Sequence, residues 1–342
     1  MENVSRVKWV EVVSNKLLGV CHGACVMYGG DVYLHCGLAS TKQSGQPESR
    51  VVKWNIESNL VSEITTSPDA PSLSHHTANL VGHIMVLTGG WDGKNRSSRV
   101  WGLSLRTFTW IQMEHLEELS RPPFGLSGHS CTMIRSSLFC VLGREGGLKI
   151  QRRFGDIFLL HLNINQEEEV GTYYWTEAPV KTKSRSGHTA ILVPSLKHAG
   201  DLWGLFVFGG RDDESIHKCG QWKAEEVESR NIVNNTKLFN EIREEIKDMK
   251  PCAPTSLRYH TMNSIHKQCV IVTGGENFKS RNNVSDQLLV CVYSNGEAKW
   301  YCLRSGEKRV GHCSVSDESG CYILSGRNEK NLISNICKLE IR

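Results

Sequence analysis

At 342 residues, 39% of them apolar, the chain has enough material for a sizeable core in one large or two ordinary domains. The formal charge of +4 is small, and no basic stripe predicts a nucleic-acid partner. The first residues lack the layout of a secretory signal, and no apolar stretch approaches the ~20 residues that span a bilayer. The thirteen cysteines are an odd number. We therefore expect reduced thiols, no membrane contact and a cytoplasmic or nuclear location.

Short alternating strands are predicted from the start of the chain. Residues 8–12 form an orphan strand that carries Trp9, and residues 32–37, 51–54 and 60–64 form the strands of a first unit. In the second unit, residues 73–91 form a β-hairpin whose second strand is a continuous apolar run ending on Gly89-Gly90 and Trp91. A continuous apolar run predicts a strand that is buried on both faces.

The same hairpin recurs along the chain. Six histidines mark six units, and each is followed by a strand that ends on glycine: His22, His76, His129, His188, His260 and His312. Large aromatic residues follow in the outer strands, as at Trp110, Trp175 and Trp300. The sixth unit runs out after its third strand, so the strand with Trp9 is predicted to complete that unit and close the ring.

One segment departs from the repeat. Residues 223–250 are charged and favour a helix, with Leu238, Ile242, Ile246 and Met249 at helical spacing. We predict an amphipathic helix inserted in the connection between units four and five. Its apolar stripe either packs on the wall of the fold or offers a face to a partner.

Four strands per unit, a period of roughly fifty residues and a repeated glycine doublet resemble the kelch family along the whole chain. The resemblance implies an all-β fold, a six-bladed kelch β-propeller that forms a single domain over residues 1–342. It also implies a non-catalytic, monomeric protein-interaction module without a cofactor. Resemblance to one member of the family implies an A-type cyclin as the partner.

Arginines are the candidate binding residues. The loop before the first strand and the loop after the second strand of each unit should open on the same face, and arginines occur in both. Their guanidinium groups suit carboxylates, which predicts an acidic protein or peptide partner. The alternative is that they brace the loops by pairing with Glu145, Asp212, Asp213 and Glu276. The predicted partner-binding residues are Trp91, Arg144, Arg152, Arg153, Arg185, Arg211, Arg258, Arg309 and Arg327.

Other functions are less favoured. The six histidines lie a period apart, and Cys21-His22-Cys25 lacks a second ligand pair, so neither predicts a metal site. Copper-radical oxidases do use kelch propellers, but their tyrosine, cysteine and histidine constellation is not evident here, so we expect no enzyme. A substrate receptor of a cullin-type ubiquitin ligase is the remaining alternative, and it would require the inserted helix to recruit an adaptor.

Overall fold

The computed structural model describes residues 6–42, 45–146, 152–194, 202–211, 217–228, 233–277, 280, 283–294 and 297–342. Within these ranges the chain folds into short β-strands, three 3-10 turns and one α-helix, α1 (Thr236–Ile246). It is an all-β, propeller-like fold. None of the helical segments in the described ranges is long and apolar enough to cross a membrane.

The strands are numbered in chain order. They are β1 (Val7–Ser14), β2 (Ala24–Tyr28), β3 (Asp31–His35), β4 (Val51–Asn55), β5 (Val61–Ile64), β6 (Thr77–Val81), β7 (Ile84–Trp91), β8 (Arg96–Ser104), β9 (Trp110–His115), β10 (Ser130–Arg135), β11 (Leu138–Gly146), β12 (Arg152–Asn165), β13 (Val170–Arg185), β14 (Thr189–Pro194), β15 (Leu202–Phe208), β16 (His217–Lys223), β17 (Thr261–His266), β18 (Cys269–Thr273), β19 (Glu276–Asn277), β20 (Asn283–Val284), β21 (Gln287–Ser294), β22 (Glu297–Arg304), β23 (Cys313–Ser316), β24 (Cys321–Leu324) and β25 (Asn335–Ile341).

The strands assemble into sheets in the order of the sequence repeat. Sheets of four strands are formed by β2-β3-β4-β5, by β17-β18-β21-β22 and by β23-β24-β25-β1. Strands β14-β15-β16 form a three-stranded sheet, and β19 and β20 form a short ribbon. Strand β1 pairs antiparallel with β25, and Trp9 lies opposite Leu339. This pairing confirms that the N-terminal strand completes the last sheet.

One sheet has eight strands, a feature that the sequence did not predict. Two four-stranded units, β6–β9 and β10–β13, join because their outermost strands pair in parallel, from Gln112 opposite Val170 to His115 opposite Tyr173. Each strand thereby gives up an exposed edge whose unpaired N–H and C=O groups would otherwise invite association with another chain.

The second strand of each unit lies in the core. Strand β7 is buried along all but its last residue, and β18 is buried along its whole length. One apolar cluster joins Ile84 and Val86 of β7 to Phe139 and Val141 of β11. The second strands therefore pack between neighbouring units, and each fully buried side chain of this kind contributes roughly 1.5–3 kcal/mol. This confirms the expected burial on both faces.

The innermost strands form a closed cycle. Each innermost strand contacts the next, in the order β2, β6, β10, β14, β17 and β23, and β23 contacts β2 again. Six backbone hydrogen bonds of 2.6–3.0 Å run around the cycle just before these strands, each from one N–H to the carbonyl of the preceding unit, and the first unit donates to the sixth. All six residues have positive φ, between 54° and 67°. They are His22, His75, Gly128, Gly187, Tyr259 and Gly311.

The glycine doublet allows neighbouring units to pack closely. Gly89 and Gly90 have φ of +63° and +110°. A Cβ on Gly89 would lie 2.9 Å from the Leu126 carbonyl oxygen, and one on Gly90 would lie 2.8 Å from the Cβ of His76. Neither contact leaves room for a side chain, so the doublet is required by the approach of adjacent loops.

The inserted helix is shorter than the predicted segment. Asn235 caps α1, and its side-chain oxygen accepts a hydrogen bond of 2.9 Å from the Leu238 N–H. The apolar stripe is buried against the sheets of units five and six, in one cluster with Val7 and Ile265. It consists of Leu238, Phe239, Ile242 and Ile246. The helix therefore packs on the wall of the fold and does not expose this stripe to a partner.

Candidate functional site

The two kinds of arginine-bearing loop meet on one face of the molecule. Isolated β-bridges join the loop before the first strand of a unit to the loop after its second strand. The bridged residues are Ser74 with Trp91, Ser127 with Glu145, Arg258 with Glu276, and Val310 with Arg327. This confirms the predicted adjacency of the loops, and it shows that Glu145, rather than Arg144, occupies the position of Arg327.

Arg185 and Arg309 point into the protein. Both are fully buried, at 0% exposure. The Arg185 Nη1 donates to the Gly209 carbonyl at 2.9 Å, and the Arg309 Nη1 donates to the Ser325 carbonyl at 3.0 Å. Gly209 and Ser325 each hold the first place of a doublet, so these arginines brace the turns of their own units. Glu307 adds an ion pair of 2.7 Å to the Arg309 Nε.

Arg258 and Arg327 share one carboxylate. Glu276 is buried, and its Oε1 lies 2.6 Å from the Arg258 Nη2 while its Oε2 lies 3.1 Å from the Arg327 Nη2. The single carboxylate thus bridges the loops of units five and six. For these two arginines, the alternative hypothesis holds: an acidic residue, Glu276, keeps them in place. Their side chains therefore contact Glu276 instead of standing open to a partner.

Arg144 supports the loop of unit three. Its Nη2 lies 3.1 Å from Asp156, and its Nη1 donates to the carbonyls of Phe124 and Gly125 at 3.1 Å each. The guanidinium lies 4.0 Å from the centre of the Phe154 ring. Burial lowers the pKa of Arg144, and the charge of Asp156 opposes that shift.

The other predicted residues are more accessible. Arg152 is exposed, while Arg153, Arg211 and Trp91 are half-buried. Arg96 lies over the Trp91 ring at 5.3 Å. The same guanidinium is 3.7 Å from Glu145. Arg96 was not among the predicted residues, because it lies in the strand that follows the loop rather than beside a glycine doublet.

Three aromatic side chains close the centre of the cycle. The His22 and His75 rings stack with centroids 4.0 Å apart, and the edge of the Tyr259 ring packs on His22 at 4.8 Å. The other three positions of the cycle are glycines, and a Cβ on Gly311 would lie 2.6 Å from the His22 ring. We call His22, His75 and Tyr259 the aromatic plug. Burial lowers the pKa of His75 to about 4.

The cycle corrects one prediction about the histidines. His22 is equivalent to His75 rather than to His76, and Gly23 holds the place that histidine takes in the other five units. A Cβ on Gly23 would lie 2.6 Å from the His35 carbonyl oxygen, which excludes a side chain there. Counting histidines alone placed the first unit out of register by one residue.

The five equivalent histidines link neighbouring units. In four of them, Nε2 lies 2.7–3.1 Å from a hydroxyl of the preceding unit. His76 instead faces His35, with 3.0 Å between His76 Nε2 and His35 Nδ1. Because His35 Nε2 lies 3.0 Å from the Pro71 carbonyl and must donate to it, His76 is the donor to His35. Among the residues that the structure describes, no three potential ligands come together to hold a metal ion.

The comparisons with known proteins agree with this architecture. The family model described as the KLHDC2/KLHL20/DRC7 Kelch-repeats domain matches residues 3–195. The chain belongs to the kelch-repeat family. It is 28% identical to Kelch domain-containing protein 9 of Mus musculus over 345 residues, which cover 97% of this chain and 95% of that protein. It is 26% identical to Kelch domain-containing protein 9 of Homo sapiens over 327 residues, or 94% and 91% of the two chains. These matches confirm the resemblance inferred from the repeats.

Proposed function

We propose that this kelch-repeat chain is a six-bladed propeller that binds a protein partner through its arginine-bearing face. The six-membered hydrogen-bond cycle is the observation that carries the blade number, since each unit supplies one residue to it. A closed ring holds its loops rigidly on one face, which is the arrangement that suits recognition of a partner. Kelch repeats generally serve interaction rather than catalysis, which supports the same function.

The accessible part of the face is where we place the partner. Arg185, Arg258 and Arg309 are buried and engaged with their own units, so they position loops rather than meet a ligand. Among the predicted arginines, Arg152 is exposed and Arg153, Arg211 and Arg327 are half-buried, and Arg327 is already paired with Glu276. Guanidinium groups there favour an acidic segment of the partner, because they can bind a carboxylate through two parallel hydrogen bonds.

The partner itself is not named by the relatives. The names of these relatives mention neither a ligand nor a complex, so an A-type cyclin, a monomeric state and a cytoplasmic or nuclear location stay predictions. The cullin-receptor alternative is less favoured, because the apolar residues of α1 that would recruit an adaptor are buried.

Affinity capture followed by mass spectrometry tests this function. The bait is the full chain, the test variant is R152E/R153E/R211E, and K237E/K250E/R304E is a control with the same change in net charge. We expect a partner that the control retains and the test variant loses. A partner set that is the same for both variants would overturn the assignment to this face, and recovery of elongin or cullin subunits would favour the alternative.

A further inference from the structure

A cleft lies away from the centre of the arginine-bearing face, between units two and three. Its volume of about 730 Å³ is within the usual range for ligand sites. One wall is the loop that leads into β8, and the other comprises the loop before β10 and the ends of β12 and β13. It is lined by residues 94–96, 98, 121–125, 144, 154, 156, 158, 177 and 181.

The cleft is cationic. Five basic side chains line it against two carboxylates, those of Asp156 and Glu177. Asp156 is already held by two of the cations, with Arg144 at 3.1 Å and Lys181 at 3.0 Å. Arg96 in turn lies 3.7 Å from Glu145, which is outside the cleft lining. Lys94 and Arg121 therefore remain beside a single further carboxylate of the lining, that of Glu177.

The cleft also has an apolar surface beside these charges. Phe124 is 74% exposed, which is the largest exposure of any large apolar side chain in the described residues. Phe154 and Phe158 form the floor near the Arg144 guanidinium, at 4.0 and 5.8 Å from their ring centres. An exposed aromatic ring beside a cleft is a typical anchor for a protein partner.

One wall of the cleft is preorganised by its own interactions. Arg144 connects the carbonyls of residues 124 and 125 to Asp156, so the loop that carries Phe124 is tied to β12 by partly buried hydrogen bonds. A rigid site loses less conformational entropy when it binds than a mobile one does. These contacts form within one unit and do not require a ligand.

We propose that this cleft binds an extended acidic segment of a protein partner, with one apolar side chain seated between Phe124 and Phe154. The inference rests on the proposed function and gives it a second, off-centre contact surface. The carboxylates of the bound segment would face Lys94 and Arg121. A nucleic-acid strand is a poorer match, because it carries a phosphate at every nucleotide, whereas a peptide can place uncharged residues beside Glu177 and Asp156.

Selection from a phage-displayed library of random linear peptides on the full chain tests the proposal. We expect enriched peptides that combine several Asp or Glu residues with a large apolar residue. Synthetic copies should bind the K94E/R121E variant about tenfold more weakly, equivalent to ~1.4 kcal/mol. The matched K237E/R304E variant changes net charge by the same amount outside the cleft and should bind like the wild type. Circular dichroism melts verify that the variants fold.

The outcomes separate this proposal from the broader one. Peptides that lack the acidic and apolar pattern, or that bind K94E/R121E unchanged, would overturn the cleft assignment. If the same peptides lose affinity for R152E/R211E, the interaction function stands and its surface lies at those arginines. A library that yields no enriched peptide contradicts both proposals.

Discussion

Two junctions on the same face use their charges differently. At the junction of units five and six, Glu276 lies between Arg258 and Arg327, and its carboxylate forms an ion pair with each of them. At the junction of units two and three, Arg144 and Asp156 hold the wall that comes from unit three, and a cleft of about 730 Å³ stays open between it and unit two. Equivalent loops of the repeat can therefore be held together by ion pairs at one junction and leave an open cleft at another.

Removal of Glu276 should have the largest effect on stability. The E276A variant leaves two guanidinium groups side by side without their carboxylate, which should lower the free energy of unfolding by about 3–5 kcal/mol. The D156A variant changes the more open junction, where Arg144 keeps its two backbone acceptors. It should lower the free energy of unfolding by about 1–2 kcal/mol. Urea unfolding measures both. Equal losses would contradict the contrast between the junctions.

The aromatic plug should be sensitive to added volume. A methyl group on Gly311 would meet the His22 ring at 2.6 Å in a residue with φ of +61°. We expect the G311A substitution to lower the free energy of unfolding by about 2–4 kcal/mol, because backbone strain and overpacking act together.

Gly306 is the control for the plug, because it has φ of +76° and no atom within 4 Å of the added methyl group. The G306A variant should lose only the backbone component, about 1 kcal/mol. The H22G/G311A double variant should recover part of the stability if the clash is with His22. Additive losses in the double variant would argue against direct contact.

Acidic pH should destabilise the joints between units. Burial lowers the pKa of His260 to about 3 from its ordinary 6.5. The unfolded chain therefore binds a proton that the folded chain does not, and stability is lost as pH falls from about 6.5 toward 3. Between pH 7 and 5 the loss from His260 should be about 2 kcal/mol. Replacement with glutamine should reduce the measured pH dependence by that amount, and an unchanged slope would contradict it.

The exposed anchor of the cleft should affect binding and leave stability almost unchanged. The F124S variant should unfold within about 0.5 kcal/mol of the wild type, because the ring has few contacts to lose. The matched L60S variant alters another exposed apolar residue, which is 65% exposed and far along the chain. Differential scanning calorimetry compares the two, and a large loss in F124S alone would show that Phe124 is structural.

Most of the architecture was predictable from the repeat. The apolar second strands, the glycine doublets and the pairing of the Trp9 strand follow from local patterns that the structure confirms. The parallel pairing of β9 with β13 was not predictable, because it depends on how two outer edges meet in space. Likewise, α1 was placed on the right segment, but its start at Thr236 depends on the Asn235 cap.

The candidate site was harder to predict because it depends on single-residue register. Arg258 lies one residue later in its loop than Arg185 and Arg309 do in theirs, and the difference turns its side chain toward Glu276 instead of into its own doublet. A sequence shows that arginines and acids are near each other in the chain. It does not show which arginine pairs with which acid across units. Two of the acids predicted to brace the loops, Asp212 and Asp213, lie outside the described residues.

The pairing of β1 with β25 also sets an order for folding. Val7 lies opposite Ile341, so the last sheet forms only when the first and last strands of the fold meet. During synthesis β1 precedes every other strand of the described fold, and its partner β25 follows all of them. The earlier sheets can form from local hairpins, whereas this closing step carries the loop-closure entropy of all the residues between β1 and β25. Until then, the apolar side chains of β1, including Trp9, lack the partners that bury them, and the strand is open to association with other chains.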